Sequence, residues 1–287
     1  MKRDIIINIS SDGELLKLLY EELKNLPRGK VKSYLEHRQV LVNGVVTTKF
    51  NHPLREGDTV KILLGEGMQT KRGLQIIYED EYLLAVNKPA GLLTVATDGE
   101  KIRTAYAALS EMRRGDIFVV HRLDRDTSGV LLFAKSAKIR DALQEDWNER
   151  ISLREYLAIC EGSFDKKKGR CDSFIAENRA HVMYSAREGK RAITDYEVIS
   201  ERAGFSIVRV RLQTGRKNQI RVHMKELGNP VVGDDKYGKK PDGTTVKNPL
   251  SRLGLHASKL QFIHPVTKEL ITIAAHLPPS FRAFLGE

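Results

Sequence analysis

One carboxylate stands out in this chain because of the residues around it. Asp124 lies in the run HRLDRDTSG, which begins at His121, among basic and small side chains. The apolar run IFVV precedes this stretch and VLLFA follows it, so we predict a polar loop between two buried strands. Arg122 and Arg125 flank the carboxylate, and we expect their positive charge to favour its ionised form. An ionised aspartate in such a loop can act as a nucleophile or as a base.

The same loop also permits a simpler interpretation. Asp126, Thr127, Ser128 and Gly129 are residue types that commonly satisfy the backbone of a turn. Local chemistry alone leaves the reactive carboxylate and the ordinary turn as alternatives.

A tyrosine and a group of cations elsewhere in the chain could complete a site. Tyr156 lies on a predicted strand in REYLA, where a tyrosine is ordinarily a half-buried packing residue. Arg216 and Lys217 begin the predicted helix KNQIRVHMKEL, where the helix dipole disfavours cations. Their position indicates an anionic partner, either RNA phosphate or a carboxylate. Arg221 lies one turn further along and projects from the same side as Lys217.

The first part of the chain has the pattern of a small α+β module. Apolar residues at helical spacing predict helices in ELLKLLYEELKNL and RGKVKSYLEHR, and VLVNGVVT predicts two short strands about an Asn43-Gly44 turn. REGDTVKILL predicts another strand. The Gly-rich, aromatic-free run GEGMQTKRG then predicts a linker at residues 65–73. We therefore expect one domain over residues 1–64 and a second over 74–287.

The second domain contains more strands than helices. Alternating or apolar runs predict strands in LQIIYEDEYLLAVNK, REYLAICEG, LGLHASKLQF and ELITIAA, and a hairpin from RAITDYEVIS to FSIVRVRLQT. Ser136 is the expected N-cap of one helix, and Gly228 the expected end of the helix that carries Arg221. On that helix we expect Ile220, Met224 and Leu227 to face the core. Because neighbouring strands dominate, we predict an α+β domain with a mostly antiparallel sheet.

Composition limits the class of protein. The 287 residues carry a formal net charge of +11, and 41% of them are hydrophobic. That charge suits a protein that binds nucleic acid, and it would equally suit an anionic membrane surface. No apolar run approaches the ~20 residues needed to span a bilayer, and DIIINIS is too short for the core of a signal peptide, so we expect a cytoplasmic protein. Cys160 and Cys171 are too few for a disulfide framework.

Several motifs together resemble one family. HRLD followed by DTSG resembles the signature of the RluA-type pseudouridine synthases, which isomerise uridine in RNA. REYLA, TGRKNQIRVH, NKPAGLL and LHASKLQFIHP resemble further elements of that family, and the matches run from about Leu74 to Phe284. Residues 10–64 resemble the S4 RNA-binding domain. A basic helix, the run VLVNG and the dipeptide GD follow one another here in the order found in that domain. The chain is thus identified as a member of this family with an N-terminal S4-like domain.

The resemblance implies roles for individual residues. Asp124 matches the catalytic aspartate, Tyr156 the tyrosine that lines the uracil pocket and is discussed as a base at carbon 5, and Arg221 the cation that pairs with the aspartate. A bidentate pair between Arg221 and Asp124 is expected. Arg122 matches the position proposed to fill the space that a flipped uridine vacates. The residues expected to bind RNA are Arg28, Lys30, Lys32, Arg38, Arg216 and Lys217.

Two positions depart from the family pattern. Arg154 replaces a frequent lysine before the tyrosine, which keeps the charge but alters the donor geometry. Asn218 replaces the usual histidine of TGRxHQIRVH, which weakens any role for that side chain.

The resulting expectation is an RNA pseudouridine synthase, an isomerase of the intramolecular transferase type. It should act in rRNA processing on structured RNA, with large-subunit rRNA favoured over tRNA by family analogy. No cofactor and no metal are expected, because the chain lacks a P-loop, a dinucleotide glycine run and metal-ligand spacing. We expect a monomer that does not bind membranes. Attack at C1′, attack at C6 and a glycal route all remain open.

Two other functions are kept as alternatives. The first is an RNA-binding or ribosome-assembly factor that has the fold without the activity. The second is a retaining glycosidase, which needs two carboxylates roughly 5 Å apart. Asp126 could supply the second acid by proximity to Asp124, although the basic charge makes a sugar substrate a poor match.

Overall fold

The structure, a computed structural model, describes most of the chain. It covers residues 5–24, 26, 28–36, 40–43, 45–47, 49–62, 74–96, 104–112, 115–145, 147–238 and 246–286. The predicted linker at 65–73 lies outside the described residues, as do Arg38 and the side chain of Lys30. None of the helices within these ranges is long and apolar enough to cross a membrane.

The N-terminal part forms a small α+β unit, as predicted. One sheet has the strand order β1-β6-β3-β4, and β2 pairs with β5. Leu15 and Leu19 of one helix and Val31 and Leu35 of the other are fully buried in a single core. The elements are β1 (Ile5–Asn8), β2 (Gly13–Glu14), α1 (Leu15–Glu22), α2 (Arg28–Glu36), β3 (Val40–Val42), β4 (Val45–Val46), β5 (Pro53–Leu54) and β6 (Thr59–Ile62).

The second part contains the large sheet. Eleven strands form it, in the order β13-β12-β14-β15-β11-β16-β10-β8-β7, with β17 paired to β16 and β9 to β10. The elements are β7 (Gln75–Glu79), β8 (Leu83–Lys88), α3 (Ala105–Met112), β9 (Phe118–Val119), β10 (Ser128–Ala134), α4 (Ala137–Glu145), α5 (Trp147–Arg150), β11 (Ile151–Glu161), β12 (Lys168–Glu177), β13 (Met183–Ala186), β14 (Lys190–Arg202), β15 (Phe205–Leu212), α6 (Gln219–Glu226), β16 (Leu255–Ile263), β17 (Leu270–Ala274) and α7 (Pro279–Leu285). The α+β class with a mostly antiparallel sheet is confirmed.

Most local signals in the sequence are confirmed in this part. The Ser136 hydroxyl accepts a hydrogen bond from the Ile139 backbone N–H at 3.3 Å, as expected for an N-cap. Gly228 follows α6 with a φ of 79°, the left-handed conformation that ends helices. Met224 is fully buried, but Leu227 is 37% exposed, so its predicted core position is wrong. Leu227 follows the last helical residue and therefore leaves the apolar face.

The only parallel pairing among the named strands joins β10 to β16 at the centre of the sheet. Two residue pairs form it, Ser128 with His256 and Gly129 with Ala257. Ala257 also pairs with Tyr156 on the other side of β16. The strand that follows the Asp124 loop is thereby placed one strand away from the strand that carries Tyr156.

Gly129 is required at this crossing point. Its φ is 117°, and a Cβ atom built on it would lie 2.1 Å from the Ala257 carbonyl oxygen. Only glycine permits both the backbone conformation and the close approach.

We therefore expect Gly129→Ala to lower the free energy of unfolding by about 3 kcal/mol, from the combined strain and overpacking. Urea unfolding followed by the emission of Trp147, the single tryptophan, measures this change. Gly13→Ala is the control, because a Cβ atom at Gly13 meets nothing within 4 Å. Equal stability of the Gly129→Ala and wild-type proteins would contradict the account of the crossing.

Candidate active site

The predicted site residues meet in one pocket of the large sheet. Its volume is about 690 Å³, and it lies over the central strands, beside the start of α6. The pocket wall contains Arg122, Asp124, Tyr156, Arg216, Lys217 and Arg221. Arg28 and Lys32 are not part of it: they lie on α2, with the Arg28 guanidinium 5.4 Å from the Tyr20 ring and the Lys32 Nζ 6.0 Å from the Phe50 ring.

The loop that carries Asp124 is fixed through its backbone. The Thr94 hydroxyl accepts a hydrogen bond from the Leu123 N–H at 3.1 Å and donates one to the Leu123 carbonyl at 2.9 Å. The Asp124 carbonyl accepts a hydrogen bond from the Thr127 N–H at 3.2 Å, which closes the turn. The turn suggested by Asp126, Thr127, Ser128 and Gly129 is thus present, and the Asp124 side chain lines the pocket beside it.

A buried lysine that the sequence analysis did not identify ties this loop to the preceding bend. Lys88 has no exposed surface, and its Nζ donates hydrogen bonds to the carbonyls of Pro89 at 3.0 Å, Leu92 at 2.7 Å and Arg125 at 2.9 Å. Burial lowers the pKa of Lys88 to about 7, while Asp124 is among the charges that raise it in part. Three carbonyl acceptors suit the three N–H donors of an ammonium group. Through Lys88, the NKPAGLL run therefore supports the Asp124 loop.

Arg221 makes its bidentate pair with Asp234 and not with Asp124. Its Nε and Nη2 donate to the two Asp234 oxygens at 2.6 and 2.7 Å, whereas its Nη1 lies 3.9 Å from the Asp124 Oδ2. The expected bidentate pair with Asp124 is therefore wrong. The Asp234 side chain has no exposed surface. A buried carboxylate is strongly destabilising unless it is paired with a cation, and the Arg221 guanidinium is that cation.

Asn218 also holds Arg221. Its Oδ1 accepts a hydrogen bond from the Arg221 Nη1 at 3.2 Å, and its Nδ2 donates to the Tyr237 hydroxyl at 3.1 Å. The Arg221 guanidinium lies 5.0 Å from the Tyr237 ring centroid. The residue that replaces the family's usual histidine thus takes part in the site after all.

Asp234 and Tyr237 were missed although they fall in the run GDDKYG. The sequence places Asp234 directly beside Asp235, and nothing in the residue types separates the two. In the folded chain Asp234 is buried and Asp235 is exposed, a difference that the residue types do not predict.

The electrostatic environment of Asp124 differs from the expectation. Burial raises the pKa of its carboxyl group, and Arg221, Lys88 and Arg122 lower it only in part. The net pKa shift of Asp124 is therefore opposite to the one expected from the charges of Arg122 and Arg125 alone. The side chain is nevertheless 36% exposed, which leaves the carboxylate accessible from the pocket.

Tyr156 forms the wall opposite this loop. Burial raises its pKa to about 12, with Arg154 lowering it and Asp124 raising it further. Its phenol is therefore protonated at neutral pH, which suits a packing or hydrogen-bonding role better than that of a base. The Arg154 Nη2 donates to the Gln213 carbonyl at 2.7 Å, so the arginine that replaces lysine also anchors the end of β15.

Two histidines near the pocket are neutral structural groups. Burial lowers the pKa of His121 to about 4, and its Nε2 accepts a hydrogen bond from the Leu132 N–H at 3.0 Å. Burial likewise lowers the pKa of His256 to about 4. The Ser128 hydroxyl accepts from Arg252 Nη2 at 2.8 Å and can therefore donate to His256 Nδ1, also at 2.8 Å.

Three cations lie at the mouth of the pocket. Arg122 is exposed and lines the pocket, and its charge is among those that lower the pKa of Asp124 in part. The Arg216 Nε donates to the Arg191 carbonyl at 3.0 Å, and the Lys217 Nζ donates to the Glu177 Oε1 at 2.6 Å. The arrangement gives a pocket with one carboxylate inside and a positively charged entrance, which suits a polyanionic substrate.

Known proteins share both parts of this chain. The RNA pseudouridylate synthase family model matches residues 82–226, and the S4 domain model matches residues 15–60. The chain is 33% identical to the uncharacterized RNA pseudouridine synthase YhcT of Bacillus subtilis, over 97% of this chain and 95% of that protein. It is 32% identical to ribosomal large subunit pseudouridine synthase D of Pasteurella multocida, over 96% and 91%. It is 36% identical to tRNA pseudouridine synthase C of Haemophilus influenzae, over 75% and 97%.

Solved structures agree with these relatives. Human RNA pseudouridylate synthase domain containing 4 aligns with a TM-score of 0.61 at 26% identity, over 74% of this chain and 91% of that one. Human RNA pseudouridylate synthase domain containing 1 aligns with a TM-score of 0.60 at 29% identity, over 72% and 84%. The chain therefore belongs to the RNA pseudouridine synthases, which are isomerases, and it carries an N-terminal S4 domain.

Proposed function

We propose that Asp124 is the catalytic carboxylate of this enzyme. One observation carries the proposal: among the described residues that line the pocket, Asp124 is the only Asp or Glu. Asp126, two residues away, is exposed and does not line the pocket. A retaining glycosidase needs two facing carboxylates, so this arrangement speaks against that alternative.

The remaining residues have roles that follow from their positions. In the isomerisation of uridine, the C1′–N1 bond breaks, a C1′–C5 bond forms, C5 loses its proton and N1 gains one. In this reaction Asp124 attacks C1′ of the sugar, attacks C6 of the base, or assists through a glycal intermediate. Tyr156 packs on the uracil ring, and it is the residue we propose to relay the C5 proton through its hydroxyl group. Arg221 orients Asp124, and Arg122 fills the space that the flipped uridine leaves.

We propose large-subunit rRNA as the substrate. Ribosomal large subunit pseudouridine synthase D is similar over 96% of this chain, whereas tRNA pseudouridine synthase C is similar over 75%. The likeness to the rRNA enzyme thus extends over nearly the whole chain, and the tRNA enzyme leaves a quarter of it unmatched. In this proposal residues 1–64 form the S4-like RNA-binding domain and residues 74–287 the catalytic domain. Carbodiimide-based mapping of pseudouridine in rRNA from deletion and wild-type cells tests the substrate, and an unchanged rRNA map would contradict it.

The RNA contacts proposed for the first domain come from its second helix. Arg28 and Lys32 lie on α2 and are exposed. Lys30 and Arg38 belong to the same proposed surface by sequence position. In the second domain, Arg216 and Lys217 contact the RNA beside the pocket entrance.

We expect Asp124→Asn to lower the rate of isomerisation by about 10⁴-fold or more, because an amide can neither attack carbon nor accept a proton. Pseudouridine formation in a transcript of the substrate RNA measures this. RNA affinity should stay close to wild type, since the amide keeps the shape of the side chain. Asp126→Asn is the matched control and should react at nearly the wild-type rate. Retained activity in purified Asp124→Asn protein would exclude Asp124 as the catalytic residue.

The pH dependence of the reaction reports the pKa of Asp124. Because burial raises that pKa, the acid limb of kcat/KM should lie above the range of an ordinary aspartate. Arg221 is the largest charge that lowers it, so Arg221→Met should move the acid limb to still higher pH. Rates measured across the acidic range decide the point. A limb that stays in place would show that Arg221 does not act on the ionisation of Asp124.

Asp234 should matter mainly through Arg221, although it also accepts hydrogen bonds from the Lys236 and Tyr237 backbone N–H groups. Asp234→Asn leaves the buried guanidinium without its bidentate partner, so we expect kcat to fall about 10- to 100-fold with little change in KM. The free energy of unfolding should also fall, by about 3 kcal/mol. Asp235→Asn is the neighbouring control and should leave both unchanged. Equal kcat in the two variants would contradict the positioning role.

A further inference from the structure

The face of the large sheet that points away from the pocket has a concave surface of its own. A groove of about 530 Å³ lies there, over β12, β14 and β15. Its charged lining contains four cations and two carboxylates. They are Lys168, Arg170, Arg209, Arg211, Asp195 and Glu197.

The groove and the pocket lie back to back across the sheet. Leu212 lines the pocket, and the next residue, Gln213, lines the groove, as expected where successive residues point to opposite faces. The Gln213 carbonyl accepts the hydrogen bond from Arg154, which itself lines the pocket. The two cavities therefore lie on opposite faces of the sheet and come together at the end of β15.

The charges on this outer face form an ordered cross-strand row. Residues directly opposite each other on five strands run Arg170, Asp195, Arg211, Glu155 and Lys259. The ion pairs along the row measure 2.6 Å from Arg170 to Asp195 and 3.0 Å from Arg211 to Glu155. Each pair fixes a guanidinium plane at the surface, and an arginine has five N–H donors, so donors remain for a further ligand.

Two exposed aromatic side chains continue this face toward the edge of the sheet. Phe174 on β12 is 44% exposed, and Tyr184 on β13 is 45% exposed. Phe174 pairs with Ala186, and Tyr184 pairs with Ala176, so the two rings are diagonal neighbours on one face. Arg191 lies opposite Phe174 on β14, with 61% of its side chain exposed.

The aromatic pair is continuous with the entrance of the pocket. Arg216, which lines the pocket, donates a hydrogen bond to the backbone of Arg191, the residue beside Phe174. Lys217 pairs with Glu177, at the end of the strand that carries Phe174. A strand of RNA that leaves the pocket past Arg216 would therefore reach Phe174 around the sheet edge.

Exposed aromatic rings beside arginines on an open sheet are the composition of a surface on which bases stack. A protein partner would have to desolvate the ion-paired row beside the rings, including the Asp195 and Glu155 carboxylates, and burying such ion pairs carries a large desolvation cost. We propose that the outer face, defined by Phe174, Tyr184 and the groove cations, binds a single-stranded RNA segment that flanks the target uridine. Bases stack on the two rings, and the groove cations contact phosphates. The inference rests on RNA as the substrate and not on the role of Asp124.

Affinity for a fluorescein-labelled single-stranded oligouridylate tests this directly. In the full chain, Phe174→Ser combined with Tyr184→Ser should weaken binding by at least about 5-fold, the lower limit for loss of a single stacked base. Ile199→Ser is the control, because Ile199 is 46% exposed on β14 but lies outside the groove lining. Wild-type affinity in the serine double variant would overturn the inference.

Substitution by leucine separates base stacking from apolar docking. Phe174→Leu with Tyr184→Leu keeps apolar surface but removes the flat rings, so RNA binding should weaken nearly as much as with serine. Phe174→Tyr with Tyr184→Phe should bind as the wild type does. If sedimentation instead shows a wild-type dimer that the serine double variant converts to a monomer, the face is a contact between copies and the inference is wrong.

Photo-crosslinking distinguishes this face from the S4 domain, which also binds RNA in the proposed function. An oligouridylate that contains 4-thiouridine should crosslink to peptides spanning β12 and β13, and mass spectrometry identifies them. Crosslinks confined to the first 64 residues would overturn the inference. Because binding is measured without turnover, full activity in Asp124→Asn protein would contradict the proposed function alone.

Discussion

The guanidinium of Arg221 lies between the carboxylates of Asp234 and Asp124. The site depends on the difference between its short contacts with Asp234 and its longer contact with Asp124. Asp234 takes both parallel hydrogen bonds, whereas the nearest atom of Asp124 stays 3.9 Å away. A full pair with Asp124 would hold its carboxylate as a stable, weakly reactive anion. Because Asp234 takes the bidentate contact, Arg221 can aim Asp124 while the Asp124 oxygens stay open to the pocket. The raised pKa of Asp124 is consistent with this division, since a more basic carboxylate is the better nucleophile or base.

The large sheet makes this arrangement possible by placing four chain segments side by side. The order β15-β11-β16-β10 brings together the strand before α6, the strand of Tyr156, a spacer and the strand after Asp124. The tight crossing of β10 and β16 at Gly129 sets the spacing on one side, and the buried Lys88 fixes the loop from below. Asp124 therefore lies on a loop and Arg221 on a helix, and the strands of the sheet fix their positions relative to Tyr156 on β11.

The proposed site residues and most elements could be predicted from the sequence, but the residues that hold the site residues in place could not. Asp124, Tyr156 and Arg221 could be identified because each lies in a motif that resembles a motif of the family. The structure brings all three residues to one pocket. Lys88 was not, because a lysine with no exposed surface contradicts the usual behaviour of that residue. Asp234 could not be told from Asp235 before the fold buried it. Strands β12 and β13 were missed because one begins within KKKG and the other is only four residues long.

Asn218 shows why a departure from a motif need not weaken a site. The residue adopts a φ of 56°, a left-handed conformation that asparagine tolerates better than most side chains. In that position its amide offers an acceptor to Arg221 and a donor to Tyr237 at the same time. A histidine ring also has two nitrogens, but when neutral only one of them donates and the other accepts. An amide and a neutral imidazole can therefore fill the same place in the network, because what the site needs there is one acceptor for Arg221 and one donor for Tyr237.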